Sequence, residues 1–157
     1  MGHKQERTPD AIRTRLREAR VARLATLGPR GRPHVVPVCF LYDGKFFYTA
    51  IDQKPKRVAP ERLVRLRNIR GMRQVALLID QYDEDWTQLC YILVSGKAGL
   101  IPTFARKERA SAIHKLRRKY PQYTPAMLSD DALIIRITPQ RITAWGQNLA
   151  SNRSNLA

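Results

Sequence analysis

The stretch from Ala22 to Arg57 constrains this chain more than any other part of it. It reads strand, tight turn, strand, hairpin, strand, then a basic turn leading into a helix. Ala25-Thr26-Leu27 ends the first strand, and Gly28-Pro29-Arg30-Gly31-Arg32 is a turn punctuated by glycine and proline. Residues Pro33 to Tyr42 form the second strand, Asp43-Gly44 is a two-residue hairpin signal, and Lys45 to Ile51 is the third strand. The segment Asp52-Gln53-Lys54-Pro55-Lys56-Arg57 then sets three cations within four residues, just ahead of a helical pattern. Pro55 fixes its own φ and restricts Lys54, so this run reads as a shaped turn. A sheet that delivers cations to a helix start makes an anion site.

The rest of the chain extends the pattern. Thr8-Pro9-Asp10 looks like an N-cap followed by proline at the first helical position, and Ile12, Leu16 and Ala19 recur at helical spacing. A helix opening at Ala59-Pro60-Glu61 carries Leu63, Leu66 and Ile69 and ends near Gly71. Arg73 to Tyr82 is a strand, Asp83-Glu84-Asp85 an acidic solvated turn, and Leu89 to Ile101 a long strand in which Gly96 and Gly99 predict a bulge. Phe104 to Tyr120 is a basic helix, and a short helical turn follows over Ala126 to Leu128. Asp131 to Thr138 and Arg141 to Trp145 read as two final strands, and Gln147 to Ala157 as a polar, frayed tail. Six or seven strands with few helices and mostly meander connections predict a small antiparallel barrel or open-barrel α+β domain. No GxGxxG or GxxxxGK[ST] supports a dinucleotide fold or a P-loop.

At 157 residues the chain reads as one domain with a substantial core. It has no apolar run near the ~20 residues that a membrane span needs, and Met1 to Arg7 lacks an apolar signal region. With Cys39 and Cys90 both inside apolar strand patterns, the expectation is a cytoplasmic protein with two buried thiols. No metal-ligand spacing is present. The formal net charge of +16 calls for an acidic partner: nucleic acid, an anionic membrane or a polyanionic small molecule.

Val21 to Leu27, Gly31 to Val38, the Asp43-Gly44 hairpin, Lys54-Pro55-Lys56-Arg57, Val75 to Asp80, Tyr82 to Trp86, Gly96-Lys97-Ala98 and Ile142 to Gly146 occur in an order and spacing that resembles a known family. This is the pyridoxamine 5′-phosphate oxidase-like split β-barrel family of flavin and deazaflavin oxidoreductases. The resemblance covers about Ile12 to Gly146, and is nearest to the subgroup that binds the deazaflavin coenzyme F420 rather than FMN. It implies a homodimer with two cofactors at the subunit interface. His34, Val36 and Pro37 would flank the tricyclic ring. Tyr48, Thr49 and Ala50 would present backbone and hydroxyl groups to the ring and ribityl chain. Lys54, Lys56 and Arg57 would hold the phosphate, and Trp86 would come from the partner subunit to wall the site, with Trp145 near the same interface.

The residues agree at two points. A phosphodiester needs fixed cations, which the Lys54 to Arg57 turn supplies. Coenzyme F420 also carries an oligoglutamate tail, which a strongly basic protein suits and which FMN lacks. No acid–base constellation is visible, as fits an enzyme that leaves hydride chemistry to its cofactor. The expected reaction passes a hydride between reduced deazaflavin and an unsaturated or quinone-like substrate, with Tyr48 or Tyr91 as candidate proton donors. Three alternatives stay open: an FMN enzyme on the same fold, a non-catalytic carrier of F420 or haem, and a nucleic-acid-binding module. For the last, the aromatics Phe46-Phe47-Tyr48 lie on strands that read as core-facing.

Overall fold

The computed structural model describes residues 8–53, 59 and 62–149. Its seven strands are β1 (Ala22–Leu27), β2 (Pro33–Val38), β3 (Leu41–Tyr42), β4 (Phe47–Ala50), β5 (Gln74–Gln81), β6 (Cys90–Leu100) and β7 (Ile134–Trp145). Three helices join them: α1 (Asp10–Glu18), α2 (Val64–Gly71) and α3 (Arg106–Lys119). Every strand pair is antiparallel, and the sheet order is β2-β1-β5-β6-β7-β4-β3.

The order forces the shape. β2 and β3 are the two edges of the sheet, yet only Cys39 and Phe40 separate them in the chain. Three residue steps reach about 10 Å at most, so the sheet must curl until its edges nearly meet. That gives the split barrel. The strand expected to run unbroken from Pro33 to Tyr42 therefore breaks at this corner. Tyr120, at the end of α3, holds it: its hydroxyl accepts from the Phe40 N–H at 2.9 Å and lies 2.9 and 3.0 Å from the Phe40 and Arg20 carbonyls. Burial pushes the Tyr120 phenol up to about 12, so it remains a donor.

Alternation decides which side chains fill the barrel. On β6, Cys90, Ile92, Val94 and Ala98 face inward while Tyr91, Leu93, Ser95 and Lys97 face out. Val75, Leu77 and Ile79 of β5 join them, with Ile12 and Leu16 of α1 and Leu66 and Ile69 of α2. A second apolar cluster lies under α3, where Tyr48 and Ala50 meet Ile113, Leu116, Tyr123 and Leu128. Strand β4 lies between the two clusters, so all four of its residues are buried.

Several local expectations change. Pro9 takes the N-cap position of α1 without a side-chain cap, because the Thr8 hydroxyl is 2.9 Å from the Tyr42 hydroxyl instead. The Asp43-Gly44 hairpin is a four-residue loop, with Tyr42 paired to Phe47 and the Asp43 carboxylate accepting from the Lys45 and Phe46 N–H groups. The region 126–128 is a hydrogen-bonded turn, with the Met127 and Leu128 N–H groups donating to the Thr124 carbonyl. The two final strands are one strand, β7. Proline removes a ladder donor, but the register slips between Ser95 and Gly96, leaving Gln140 as the extra residue beside Pro139. Leu149 is buried against the core, so the tail is anchored as far as that residue.

The bulge depends on glycine. A Cβ at Gly96 would run into the Thr138 carbonyl oxygen and stand 3.1 Å from the Pro139 Cα. Gly96→Ala is expected to cost about 2 kcal/mol, lowering Tm by about 4–8 °C for a chain of this size. Calorimetry that finds an unchanged Tm would refute this register.

Candidate functional site

Edge strand β2 pairs only with β1, so its other edge has no strand partner among the described residues. Along it, His34 and Val36 are half-buried while Val35 and Pro37 are exposed. The three β2 residues singled out from the sequence therefore divide between two faces: His34 and Val36 inward, Pro37 outward.

His34 opens into a groove of about 470 Å3 between the β1–β2 turn and α2. The turn supplies Arg30 and Arg32, and α2 supplies Arg67 and Asn68. Arg30 has φ 59°, in the left-handed region, and Gly31 follows at φ 70°, which sharpens the turn. Asn68 is buried and donates to the Thr26 hydroxyl at 3.0 Å, fixing α2 against β1. Gly28 makes that approach possible, since a Cβ there would stand 3.2 Å from the Asn68 side-chain oxygen. Among the described residues, the groove thus carries three arginines and one histidine whose buried Nδ1 has no hydrogen-bond partner. An orphaned ring nitrogen beside three cations fits an anionic ligand with acceptor and donor groups of its own.

The basic turn Lys54, Lys56 and Arg57 lies outside the described residues. The chain enters it from a fixed point. The Ile51 N–H donates to the Leu133 carbonyl and the Gln53 N–H to the Met127 carbonyl, both at 2.9 Å. Between them, buried Asp52 accepts a 2.8 Å hydrogen bond from the hydroxyl of buried Tyr123. Burial first, and the Asp52 bond second, raise the Tyr123 phenol far above its ordinary range. Arg65, in the first turn of α2, is held below the usual guanidinium value by burial, with the Asp52 charge opposing that fall; its Nε has no hydrogen-bond partner among the described residues.

Tyr48, Thr49 and Ala50 are all buried. The Tyr48 hydroxyl donates to Glu108 at 3.2 Å, and Glu108 also pairs with Arg136 at 3.1 Å. Burial, then the Asp43 and Glu108 charges, push this phenol well above its ordinary value, so it holds its proton. Tyr91, the other candidate donor, stacks on Trp145 at 5.9 Å between ring centroids on the outer face of the sheet.

Trp86 is 72% exposed in a 3-10 turn that Asp85 caps, and Trp145 is 53% exposed. Both lie far from His34 in the same chain. His34 pairs with Thr26, which pairs with Val75, which faces Gly96, whereas Trp145 pairs with Tyr91, five residues along β6. That places Trp145 about 17 Å along the strand direction from His34, and the Trp86 turn lies past Gln81, itself six residues beyond Val75 on β5. One chain therefore does not bring its tryptophans to its own His34.

Sequence reasoning missed Arg30, Arg32 and Arg67 as a group, because one helix-face cation and two turn cations meet only through the fold. It also missed the Asp52–Tyr123 bond, whose partners are 71 residues apart. Proximity of Arg30 and Arg32 to His34 in the chain was the one available signal.

Among solved structures, the chain resembles the haem storage protein HutZ of Vibrio cholerae with a TM-score of 0.69 and 14% identity, over 89% of this chain and 94% of that one. It resembles an F420 reductase with a TM-score of 0.63 and 22% identity, over 86% and 98% respectively. Both likenesses establish the fold. Among curated proteins, it is 29% identical over 137 residues to the 5a,11a-dehydrotetracycline/5a,11a-dehydrooxytetracycline reductase of Streptomyces rimosus subsp. rimosus, covering 85% of this chain and 79% of that protein. The family model described as pyridoxamine 5′-phosphate oxidase matches residues 8–146, and the chain belongs to that family.

Proposed function

We propose that this protein is an oxidoreductase that binds coenzyme F420 in the groove between the β1–β2 turn and α2 and passes a hydride between the deazaflavin and an unsaturated or quinone-like small molecule. The observation that carries the reading is the concentration of Arg30, Arg32 and Arg67 around the orphaned His34 nitrogen. The reductase named for the Streptomyces relative and the F420 reductase fold agree with it. FMN, the alternative cofactor, has one phosphate and leaves most of this charge without a counterpart.

Each group has a role under this reading. Lys54, Lys56 and Arg57 hold the phosphate, leaving from the Asp52 anchor. Arg30, Arg32 and Arg67 hold the acidic tail. The unpaired edge of β2 supplies backbone donors and acceptors to the ring. The bound deazaflavin supplies the hydride chemistry. The chain supplies orientation, exclusion of water and charge. Tyr48, locked to Glu108, is a packing residue rather than the proton donor.

The site is completed by a second copy of the chain. The outer face of the sheet carries Val35 at 58% exposure, with Leu27, Tyr82, Tyr91, Leu93 and Trp145 also exposed. Their register places Val35, Ala25 and Ala76 in one row and Pro37, Arg23, Leu78 and Leu93 in the next. An Arg23–Asp80 ion pair and the polar Ser95 and Lys97 share this face, so the interface is the apolar part of it around Val35, Leu78, Leu93, Tyr91 and Trp145, and dimerisation there brings the partner's tryptophans toward this chain's β2. Leu93→Glu is expected to yield a monomer by light scattering and to weaken cofactor binding at least tenfold. A Leu93→Glu protein that stays dimeric would refute this interface.

The reaction itself is tested by mixing the protein with reduced F420 and a panel of quinones and dehydrotetracycline-type enones. Acceptor-dependent loss of the reduced cofactor is expected. Oxidation at the uncatalysed rate with every acceptor would refute the enzymatic reading.

A further inference from the structure

A second groove lies on the other side of the barrel and shares no residue with the first. It occupies about 550 Å3 between the C-terminal ends of α1 and α3, with β3 as its floor. Arg17 and Arg20 line it from the α1 side, and Lys115, Arg118 and Lys119 from α3. Glu18 is the lone carboxylate among the described lining residues, and none of the five cations is in an ion pair with a described carboxylate.

The usual explanation for such cations is the partial negative charge at helix C-termini. Each terminus is worth about half an elementary charge. Two termini and Glu18 thus offset about two of the five charges and leave about three. The cations are also held in place. Lys119 Nζ donates to the Leu16 carbonyl at 3.1 Å and stands 3.9 Å from the centre of the Phe40 ring. Arg20 donates to the Lys119 carbonyl, with its guanidinium carbon 5.7 Å from the centre of the Tyr120 ring.

We propose that this α1–α3 groove is a binding site for a small oligophosphate. Guanidinium forks and ammonium groups converging on a concavity match a compact anion of three or more charges. Nucleic acid fits less well. Single strands need free aromatic faces for stacking, and the one aromatic ring on the lining, Tyr42, is stacked on Phe47 at 4.4 Å with its hydroxyl against Thr8.

Lys119 makes the site report its own occupancy. Burial, then the neighbouring Arg20 charge, lower its ammonium to about 8, with Cys39 acting in the opposite direction. Arg118 and Lys115 face it from its own helix side of the groove. At a pH near 8 a substantial fraction of Lys119 is neutral. A bound anion restores the charged form, so binding takes up protons.

Calorimetric titration of the full chain with inorganic triphosphate near pH 8, in two buffers of different ionisation enthalpy, tests this. Saturable binding is expected, and Lys119→Met is expected to take up fewer protons than the unmodified chain, a difference in which the titration of triphosphate itself cancels. Lys115→Ala/Arg118→Ala should weaken binding at least tenfold. Arg106→Ala/Lys107→Ala, which removes equal charge from the far end of α3, should leave it within twofold. A nucleoside triphosphate that binds equally marks a site for the phosphate chain alone; tighter binding marks a site for the nucleotide. The proposal is overturned by absence of saturable binding, by equal losses in the two double variants, or by a short single-stranded RNA that outcompetes triphosphate for the groove.

Discussion

Arg30→Ala/Arg67→Ala is expected to lower affinity for coenzyme F420 by about 100-fold. Both side chains line the groove around His34, one from the β1–β2 turn and one from α2. Both are exposed, so salt screens part of their attraction. Each retained charge-assisted contact is worth about 1.4 kcal/mol, or tenfold. Affinity for FMN should fall less, because FMN has no acidic tail to meet these arginines. The fold should be unaffected, since neither side chain packs in the core. Deazaflavin fluorescence titration reads the result, and unchanged F420 affinity would move the tail elsewhere.

The second large effect is on stability. Asp52→Ala removes the acceptor of the buried Tyr123 hydroxyl and the carboxylate that opposes the cost of burying Arg65. Leaving the buried Tyr123 donor without that partner should cost about 2 kcal/mol, and the half-exposed Arg65, screened by solvent, adds up to about 1 kcal/mol, about 3 kcal/mol in all. For a domain of this length that is a fall in Tm of about 6–12 °C. Tyr123→Phe removes the hydroxyl but leaves the Asp52 charge near Arg65, so it should cost about 1 kcal/mol. Asp52 precedes Lys54 by two residues in the chain, so Asp52→Ala should weaken cofactor binding where Tyr123→Phe barely does. Equal melting temperatures for the two variants would show that Asp52 and Arg65 are not coupled.

Alternation made much of the fold legible. Val75 to Ile79 and Cys90 to Ala98 carry a period of two that can bury only one face, and the structure buries that face. Helix α3 was equally plain. The β2–β3 corner was hidden, because Val38 to Leu41 continues the same apolar pattern while the chain changes edges of the sheet. What breaks the strand there is Tyr120, 80 residues away. Pro139 misled in the opposite direction: it reads as an interruption, and a glycine on the neighbouring strand absorbs it as a bulge. At the site, local pattern singled out His34 and Val36 on β2, which the structure places on the inward face of that edge strand. Convergence of Arg67 with Arg30 depends on how α2 docks through Asn68 and Thr26, a pairing that no spacing rule encodes. The wide separation of Trp86 and Trp145 from His34 likewise follows only from the seven-strand order.

If the proposed function holds, this split barrel prefers a polyanionic deazaflavin to FMN. Side-by-side titration of the purified protein with F420 and FMN, followed by quenching of the exposed Trp86 and Trp145, tests it most directly. Saturable F420 binding at least tenfold tighter than FMN, with the preference shrinking as salt is raised, is the predicted result. Equal or tighter binding of FMN, insensitive to salt, would contradict it.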